Sequence, residues 1–243
     1  MKLFALILTY NCEHLVQKAI DKIPKNKFHK IICSDDESTD QTETVLKKNN
    51  IDFFKNKHSG YGGNLFHGLK KAFEMGATHV VEIHGDGQYD LNKIDDVTIL
   101  LNKGADLILG NRFFKLKEPL AHGMPFHIYI GNLFFSFIAR VGLSLPHRDL
   151  FPGFRAYSSN FFNTIKNYKL SKGYQFSFEI IALSKFYNLN IMSIDTICDY
   201  KGERKTAPIS YVFKCTINII TTVILYRLAK KSFLFSIFKN ERK

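Results

Sequence analysis

The sequence predicts an α/β fold: a mostly parallel central sheet flanked by helices. Three observations predict it. Apolar strand-like runs alternate with amphipathic helical stretches, as βαβ units require. Each acidic or glycine-rich motif of the first half follows a strand, so these motifs collect along one sheet edge, where open α/β sheets place their ligands. Finally, 243 residues with 45% hydrophobic side chains, six Pro and fifteen Gly can bury one large core and do not describe a disordered or fibrous chain. No internal repeat or low-complexity linker divides it.

The elements follow in order. Leu3 to Leu8 is an apolar run behind Lys2. It is too short for a signal-peptide core and has no small-residue cleavage site, so it reads as a buried first strand over 3–9 feeding a helix over 13–23. A strand over 29–34 leads through acids and hydroxyls into a helix over 41–49, and a strand over 51–55 leads through a glycine-rich loop into a helix over 62–75. A strand over 78–84, a helix over 91–102 and a strand over 105–109 complete the alternation.

Four segments carry chemistry. In Val80-Val81-Glu82-Ile83-His84-Gly85-Asp86-Gly87-Gln88-Tyr89-Asp90 an apolar strand ends in a glycine-punctuated turn. If the backbone stays extended, His84, Asp86 and Gln88 point the same way, and the intervening glycines let the chain approach a ligand. The plain alternative is a turn at Asp86-Gly87 with His84 closing the strand. In Ile31 to Thr42, Ser38, Thr39 and Asp40 suit a helix N-terminus. The adjacent Asp35 and Asp36 at a strand end should repel each other unless something binds them. His58 to Ala72 opens a helix with Gly60, Gly62 and Gly63, either a phosphate cradle or a device for tight helix–sheet packing. It is neither a Walker loop nor a dinucleotide fingerprint. In His147 to Ser158, Asp149 and Arg155 form either a salt bridge or part of a site.

These segments resemble family-2 glycosyltransferases of the dolichyl-phosphate mannosyltransferase-like branch, over roughly residues 3 to 205. His84-Gly85-Asp86-Gly87-Gln88 resembles the family's Asp-x-Asp-x-Gln, with His84 in place of the first Asp. The resemblance implies a nucleotide-diphospho-sugar transferase (GT-A) fold in which His84, Asp86 and Gln88 hold Mg²⁺ or Mn²⁺ against the donor diphosphate. Imidazole suits Mn²⁺ better than Mg²⁺. It implies that Asp35, Asp36 and Asp40 contact the base and ribose of a UDP- or GDP-sugar, and that Gly60 and Gly63 border the nucleotide pocket, as architecture first and ligand contacts second. Asp149-Leu150-Phe151-Pro152-Gly153-Phe154-Arg155-Ala156 resembles the block lining the acceptor side. Gly110-Asn111-Arg112-Phe113 and Gly123 to Asn132 also fall where the family has related residues. Lys201-Gly202-Glu203-Arg204-Lys205 approximates a late basic motif. Arg155, Arg204 and Lys205 would then hold the diphosphate or a lipid phosphate.

The function expected on this basis is an inverting, metal-assisted transfer to a polyprenyl phosphate or surface glycan. An anionic phosphate acceptor needs no general base, whereas a hydroxyl acceptor does, and Asp149 is the candidate. The other class is a non-catalytic nucleotide- or membrane-binding module on the same scaffold. The set Asp35, Asp36, Asp86, Gln88, Asp149 and Arg155, all present together, argues for the enzyme.

Charge and cysteines complete the reading. The formal net charge is +12, and residues 201–243 hold ten Lys and Arg against two acids, so +8 of it lies in this tail. The longest uncharged run there, Cys215 to Tyr226, is shorter than the roughly 20 residues that cross a bilayer. Basic residues flanking apolar faces instead suit amphipathic helices lying on an anionic membrane surface. The apolar segment Phe126 to Leu145 would lie beside them. Core packing, a homo-oligomer or a membrane partner protein would also cover such faces. Nucleic acid is not an expected partner, since no recognition motif accompanies the charge. Residues 1–207 read as the transferase domain and 208–243 as its basic helical tail, peripheral at the cytoplasmic face of the membrane. Plentiful Lys, Asn, Ile and Phe suggest an AT-rich bacterial genome. Cys12, Cys33, Cys198 and Cys215 are scattered without metal-like spacing and read as reduced thiols.

Overall fold

The computed structural model of the chain describes residues 1–201, 209–233 and 236–239. Its elements are β1 (Leu3–Thr9), α1 (Val16–Asp21), β2 (Lys30–Asp35), α2 (Thr42–Lys48), β3 (Asp52–Lys55), α3 (Tyr61–Glu74), β4 (His79–His84), α4 (Ile94–Asn102), β5 (Leu107–Asn111), α5 (Glu118–Ala121), α6 (Phe126–Leu143), β6 (Arg155–Ser158), α7 (Ser159–Ile165), α8 (Phe176–Phe186), β7 (Ile191–Asp195) and α9 (Ile209–Ala229). The seven strands form one sheet in the order β3-β2-β1-β4-β6-β5-β7. Only β6 runs antiparallel to its neighbours. The expected mostly parallel sheet is therefore present.

β1 is an interior strand of the sheet, and all seven of its residues are buried. Phe4, Leu6 and Leu8 join one apolar cluster with Leu65 and Leu69 of α3. Leu3, Ala5 and Ile7 join a second cluster with Val16 and Ile20 of α1. A strand covered on both faces reads as a continuous apolar run, not an alternating one. Gly68 lets α3 lie close to the sheet: a Cβ there would stand 2.8 Å from Leu6 Cδ1 and 2.9 Å from Ser34 Cβ.

Several boundaries differ from the sequence expectation. The first helix begins at Val16, because the N–H groups of Cys12 and Glu13 donate to Thr42 Oγ1 (3.0 Å) and Asp40 Oδ2 (3.0 Å). β5 starts two residues later than expected, since Ala105 N–H still closes the turn onto Leu100 O. β6 is only four residues long and opens with Arg155, so no alternation marked it. It nevertheless stands between β4 and β5, and its register pairs Glu82 with Arg155.

The two late helices pack on each other. A Cβ on Gly142 of α6 would lie 2.5 Å from Val223 Cγ2 of α9, and Arg227 Nε donates to Gly142 O at 2.9 Å. α9 buries Ile219, Tyr226 and Ala229 in the core while Ile217, Ile220 and Ile224 remain exposed. Core packing and an outward apolar face thus coexist on one helix. Among the described residues one helix, α6, is long and apolar enough by length and composition to cross a membrane.

Candidate active site

The chain moves outward from β1 to β2 and β3, then returns to place β4 on the other side of β1. The carboxyl ends of β1, β2 and β4 therefore diverge at a topological switch point, the preferred ligand crevice of such sheets. Thr9, Asp35 and His84 end these three strands.

The expected acids do gather here, but protein groups satisfy them. Asp35 is fully buried and accepts from Thr9 Oγ1 (2.7 Å), Ser38 Oγ (2.6 Å) and Ser38 N (2.8 Å). Asp36 turns toward the glycine-rich loop, accepting from Ser59 N and Gly60 N, both at 2.9 Å, and pairing with His58 Nδ1 at 2.9 Å. The two carboxylates thus avoid mutual repulsion by bonding to different segments. Asp40 ties the turn before α1 to α2, accepting from Glu13 N, Thr42 N and Thr42 Oγ1. Burial would raise its pKa, but these donors outweigh it and hold the carboxyl below its ordinary value. Gly60 takes φ +82°, which favours glycine, and Gly63 N–H donates to Lys172 O at 3.0 Å. Both glycines pack α3 against residues 171–176, an architectural duty.

At the end of β4 the extended backbone stops. Asp86 Oδ1 accepts from Gln88 N at 3.0 Å, and Gly87 takes φ +60°. His84, Asp86 and Gln88 therefore do not form one row, contrary to the period-two expectation. The glycines serve a different approach from the one expected. A Cβ on Gly85 would meet Leu8 O at 2.8 Å, and one on Gly87 would meet Ala19 N at 2.9 Å. They admit β1 and α1.

His84 is also differently engaged. Its Nε2 lies 3.0 Å from Oε1 of Glu82, a fully buried carboxylate that also accepts from the Tyr61 and Tyr157 hydroxyls, each at 2.6 Å. Burial would lower the His84 pKa, yet the Glu82 contact outweighs it and raises it. Burial likewise would raise Glu82, but His84 and Arg155 hold it below the usual carboxylate range. Gln88 Oε1 is 3.9 Å from Cys198 Sγ. Asp86 Oδ2 has no hydrogen-bond partner among the described residues.

Of the two readings of Asp149 and Arg155, the salt bridge between them does not form. Asp149 is buried and grips Arg112, with Nε to Oδ2 at 2.7 Å and Nη2 to Oδ1 at 2.9 Å. Arg112 also reaches the Tyr200 hydroxyl (2.7 Å), Asn132 Oδ1 (3.2 Å) and Phe151 O (3.1 Å). Burial opposes the charge of Arg112, but Asp149 more than restores it and the guanidinium stays protonated. With both oxygens committed, Asp149 is a poor general base. Arg155 is 1% exposed, donating to Tyr61 and Ser177 hydroxyls and standing 3.9 Å from Glu82. It is held in the sheet and also borders the cavity described next. Arg204 and Lys205 lie outside the described residues.

A cavity of about 400 Å³ reaches some of these groups. His84, Gln88, Arg112 and Tyr174 line its polar part, while Ile128, Phe135, Phe151, Phe178 and Ile219 line the rest. The walls come from α6, α8 and α9, elements distant in sequence.

His84, Asp86 and Gln88 bring one imidazole, one carboxylate and one carboxamide to the end of β4. Among the described residues no group of three or more His, Cys, Asp or Glu stands ready to hold an ion. The His84 nitrogen that bonds Glu82 is spoken for. Asp86 fits a looser site, because Mg²⁺ is often held by one or two carboxylates together with substrate phosphates and water.

Sequence reasoning missed Glu82 and Tyr61. The first had a signal: a carboxylate within the buried run Val80 to Ile83, on the same strand face as His84. Tyr61 had none, since its partner lies across the fold.

Residues 5–166 match the family model for glycosyl transferase family 2. A Methanococcus voltae protein named UDP-N-acetylglucosamine–dolichyl-phosphate N-acetylglucosaminyltransferase is 28% identical over 228 residues, covering 84% of this chain and 89% of the relative. An uncharacterized protein of Methanocaldococcus jannaschii is 26% identical over 230 residues, covering 93% and 90%. Among solved structures, glucosyl-3-phosphoglycerate synthase of Mycobacterium tuberculosis with Mn²⁺, UDP and glucosyl-3-phosphoglycerate superposes with a TM-score of 0.63 at 16% identity, covering 93% of this chain and 79% of that one. The same enzyme with Mg²⁺ and UDP gives 0.63. At such identity the likeness concerns the fold.

Proposed function

The chain belongs to glycosyl transferase family 2, and from that premise we propose that it moves a sugar, with inversion, from a nucleoside-diphosphate sugar to a polyprenyl phosphate at a membrane surface. The observation that carries the acceptor class is the cavity: its mostly apolar walls end at Arg112, His84 and Gln88. An apolar pocket with a few convergent polar groups suits a lipid tail with an anionic head. The dolichyl phosphate in the name of the 28%-identical relative supports the same class.

In this reading the donor nucleotide lies along the carboxyl ends of β1 and β2, beside Asp35, Asp36 and the loop at Gly60. Asp86, with an uncommitted oxygen, would hold Mn²⁺ or Mg²⁺, whose charge neutralises the leaving diphosphate. Arg112, preset by Asp149, Asn132 and Tyr200, receives the acceptor phosphate. That phosphate is already anionic and attacks the anomeric carbon without a base, which agrees with an Asp149 that has no oxygen to spare. The apolar walls exclude water, so that fixed charges act strongly.

The surface agrees with a membrane location. Phe126, Ile130, Phe134, Phe137 and Val141 form one exposed stripe along α6, and Ile217, Ile220, Ile224 and Leu228 form another along α9. Residues 208–243 are on this view the membrane-facing end of the domain formed by 1–207, with their basic residues toward anionic lipid.

The test is thermal stabilisation by UDP, GDP, CDP or TDP, each with Mn²⁺, Mg²⁺ or chelator, followed by transfer of labelled sugar to polyprenyl phosphate in vesicles. A ligand at about 100 times its Kd adds roughly 2.7 kcal/mol. A metal-dependent shift with one nucleotide and label in the lipid phase support the reading. No shift with any nucleotide in folded protein would sink it.

A further inference from the structure

The turn that carries Asp86 is gripped from α1. Lys22, the half-buried residue that closes this helix, donates from Nζ to Gly87 O at 2.6 Å, across 65 positions of chain. The carbonyl of Gly87 and the N–H of Gln88 belong to one trans peptide, which is planar, so they point in opposite directions. With Gly87 O turned toward Lys22, Gln88 N–H points the other way, and there it donates to Asp86 Oδ1 at 3.0 Å. Lys22 and the Asp86 carboxylate thus hold the two ends of the same peptide unit. Gly87 is where that unit is free to rotate, since it takes φ +60° and has no side chain to resist a flip. Its surroundings are otherwise tied down: Gly87 N donates to His84 O at 3.1 Å, and Asp199 N donates to Gln88 O at 2.8 Å.

We propose that Lys22 is a positioning residue for the transfer reaction: by fixing the Gly87 carbonyl it fixes the Gln88 N–H, which holds Asp86 Oδ1 and leaves Oδ2 for the ion that accompanies the donor diphosphate. The inference rests on the sugar-transfer reading above, in which Asp86 holds Mn²⁺ or Mg²⁺. Removing an ammonium beside a cation site would, by charge alone, tighten the metal, because like charges repel. Removing a contact that orients the metal's carboxylate loosens it. The sign of the change separates the two roles.

The experiment titrates Mn²⁺ into the full-length protein, by calorimetry and electron paramagnetic resonance, with UDP present or with whichever of GDP, CDP and TDP the wild type binds. Nucleotide affinity in chelator and steady-state transfer kinetics are measured beside it. Lys22→Met keeps the apolar stem and removes the donor. It is expected to weaken Mn²⁺ by roughly tenfold and to lower kcat/KM by about as much, the low end for groups that orient a metal's ligands. Nucleotide affinity in chelator should stay within about twofold, the scatter of uncoupled sites. Lys22→Arg still donates to the carbonyl and should recover most of the Mn²⁺ affinity. Lys27→Met removes an equal charge, one paired with Asp95, and should change nothing. Adding Lys22→Met to Asp86→Ala should cost no further Mn²⁺ affinity, because Lys22 acts through that carboxylate.

Unchanged or tighter Mn²⁺ binding in Lys22→Met would overturn the proposal, and Lys22→Gln, shorter and polar, carries the same test should Lys22→Met not fold. An equal loss in Lys27→Met, no recovery in Lys22→Arg, or a further loss in the double variant would also overturn it. So would wild-type Mn²⁺ affinity in Asp86→Ala, which removes the group through which Lys22 acts. A wild-type protein that binds none of the four nucleoside diphosphates would overturn the sugar-transfer reading itself, which separates the two failures.

Discussion

Asp149 holds Arg112 through both carboxylate oxygens, at 2.7 and 2.9 Å, within a site where neither residue is more than 6% exposed. Such a pair is costly to bury and costlier to break, because one partner alone leaves an uncompensated charge. Asp149→Asn should therefore lower stability by roughly 3–5 kcal/mol. Denaturant unfolding measures it. Arg112→Lys keeps the charge but loses the two-pronged geometry. It should fold, and its KM for the acceptor should rise more than its KM for the donor. An unchanged acceptor KM would remove Arg112 from the acceptor site.

Asp86 is the carboxylate in the turn after β4 with an oxygen free of protein partners among the described residues. Asp86→Asn removes the charge and keeps the turn contact through the amide oxygen. The variant should melt like the wild type but lose the metal-dependent part of its stabilisation by nucleotide, with transfer falling by about 100-fold or more. Differential scanning fluorimetry with and without chelator reads the first effect. Retention of a full metal-dependent shift would place the ion elsewhere.

The core fold was legible in the chain because its first half obeys simple rules. Leu3–Thr9 and His79–His84 are apolar runs that end in polar turns, and each appears where periodicity put it. The second half obeys long-range rules. Arg155 looked like a partner for Asp149 because they are close in sequence, yet the antiparallel register of β6 carries it to Glu82. Arg112 reaches Asp149 across 37 positions and Tyr200 across 88. No local pattern encodes such pairings. The row expected of positions 84, 86 and 88 required an extended backbone, and Gly87 at φ +60° ends that extension.

Gly62 lies where α3 meets α8 and the loop before it. A Cβ there would press on Phe176 Cβ and stand 2.7 Å from Gly173 O and 2.8 Å from Ser171 O. Two of these neighbours are backbone and cannot rotate away. Gly62→Ala should cost roughly 1–3 kcal/mol, the usual penalty for overpacking. The midpoint of chemical unfolding reports it. Gly76, with nothing within 4 Å of its Cβ position but φ +88°, supplies the contrast: there Ala would suffer from backbone strain alone, of order 1 kcal/mol.

The exposed stripe of α6 gives a membrane test independent of catalysis. Phe134 and Phe137 are 54% and 59% exposed, so replacing both by Ser should leave the melting temperature close to wild type. Each aromatic that inserts contributes about 1.5–3 kcal/mol of burial. The double variant should therefore detach from anionic vesicles in a flotation assay. Equal flotation of the two proteins would refute insertion of this face.

Asp40 supplies the pH dependence. Its carboxylate receives three donors that join the turn before α1 to α2, and its pKa is lowered in the folded state despite some burial. A group whose folded pKa is depressed adds stability above its unfolded value, near 3.9 for Asp. That stability is lost as pH falls through the folded value. Wild-type protein should thus lose stability on acidification below about pH 4, more steeply than Asp40→Asn. The Asn variant keeps an acceptor but no charge, and should be weaker at neutral pH by about 1 kcal/mol. Urea unfolding from pH 3 to 7 compares the two. Parallel curves over that range would show that Asp40 is not an anionic anchor, and the tie between the β1 loop and α2 would then rest on Thr42, which accepts from Cys12 N at 3.0 Å.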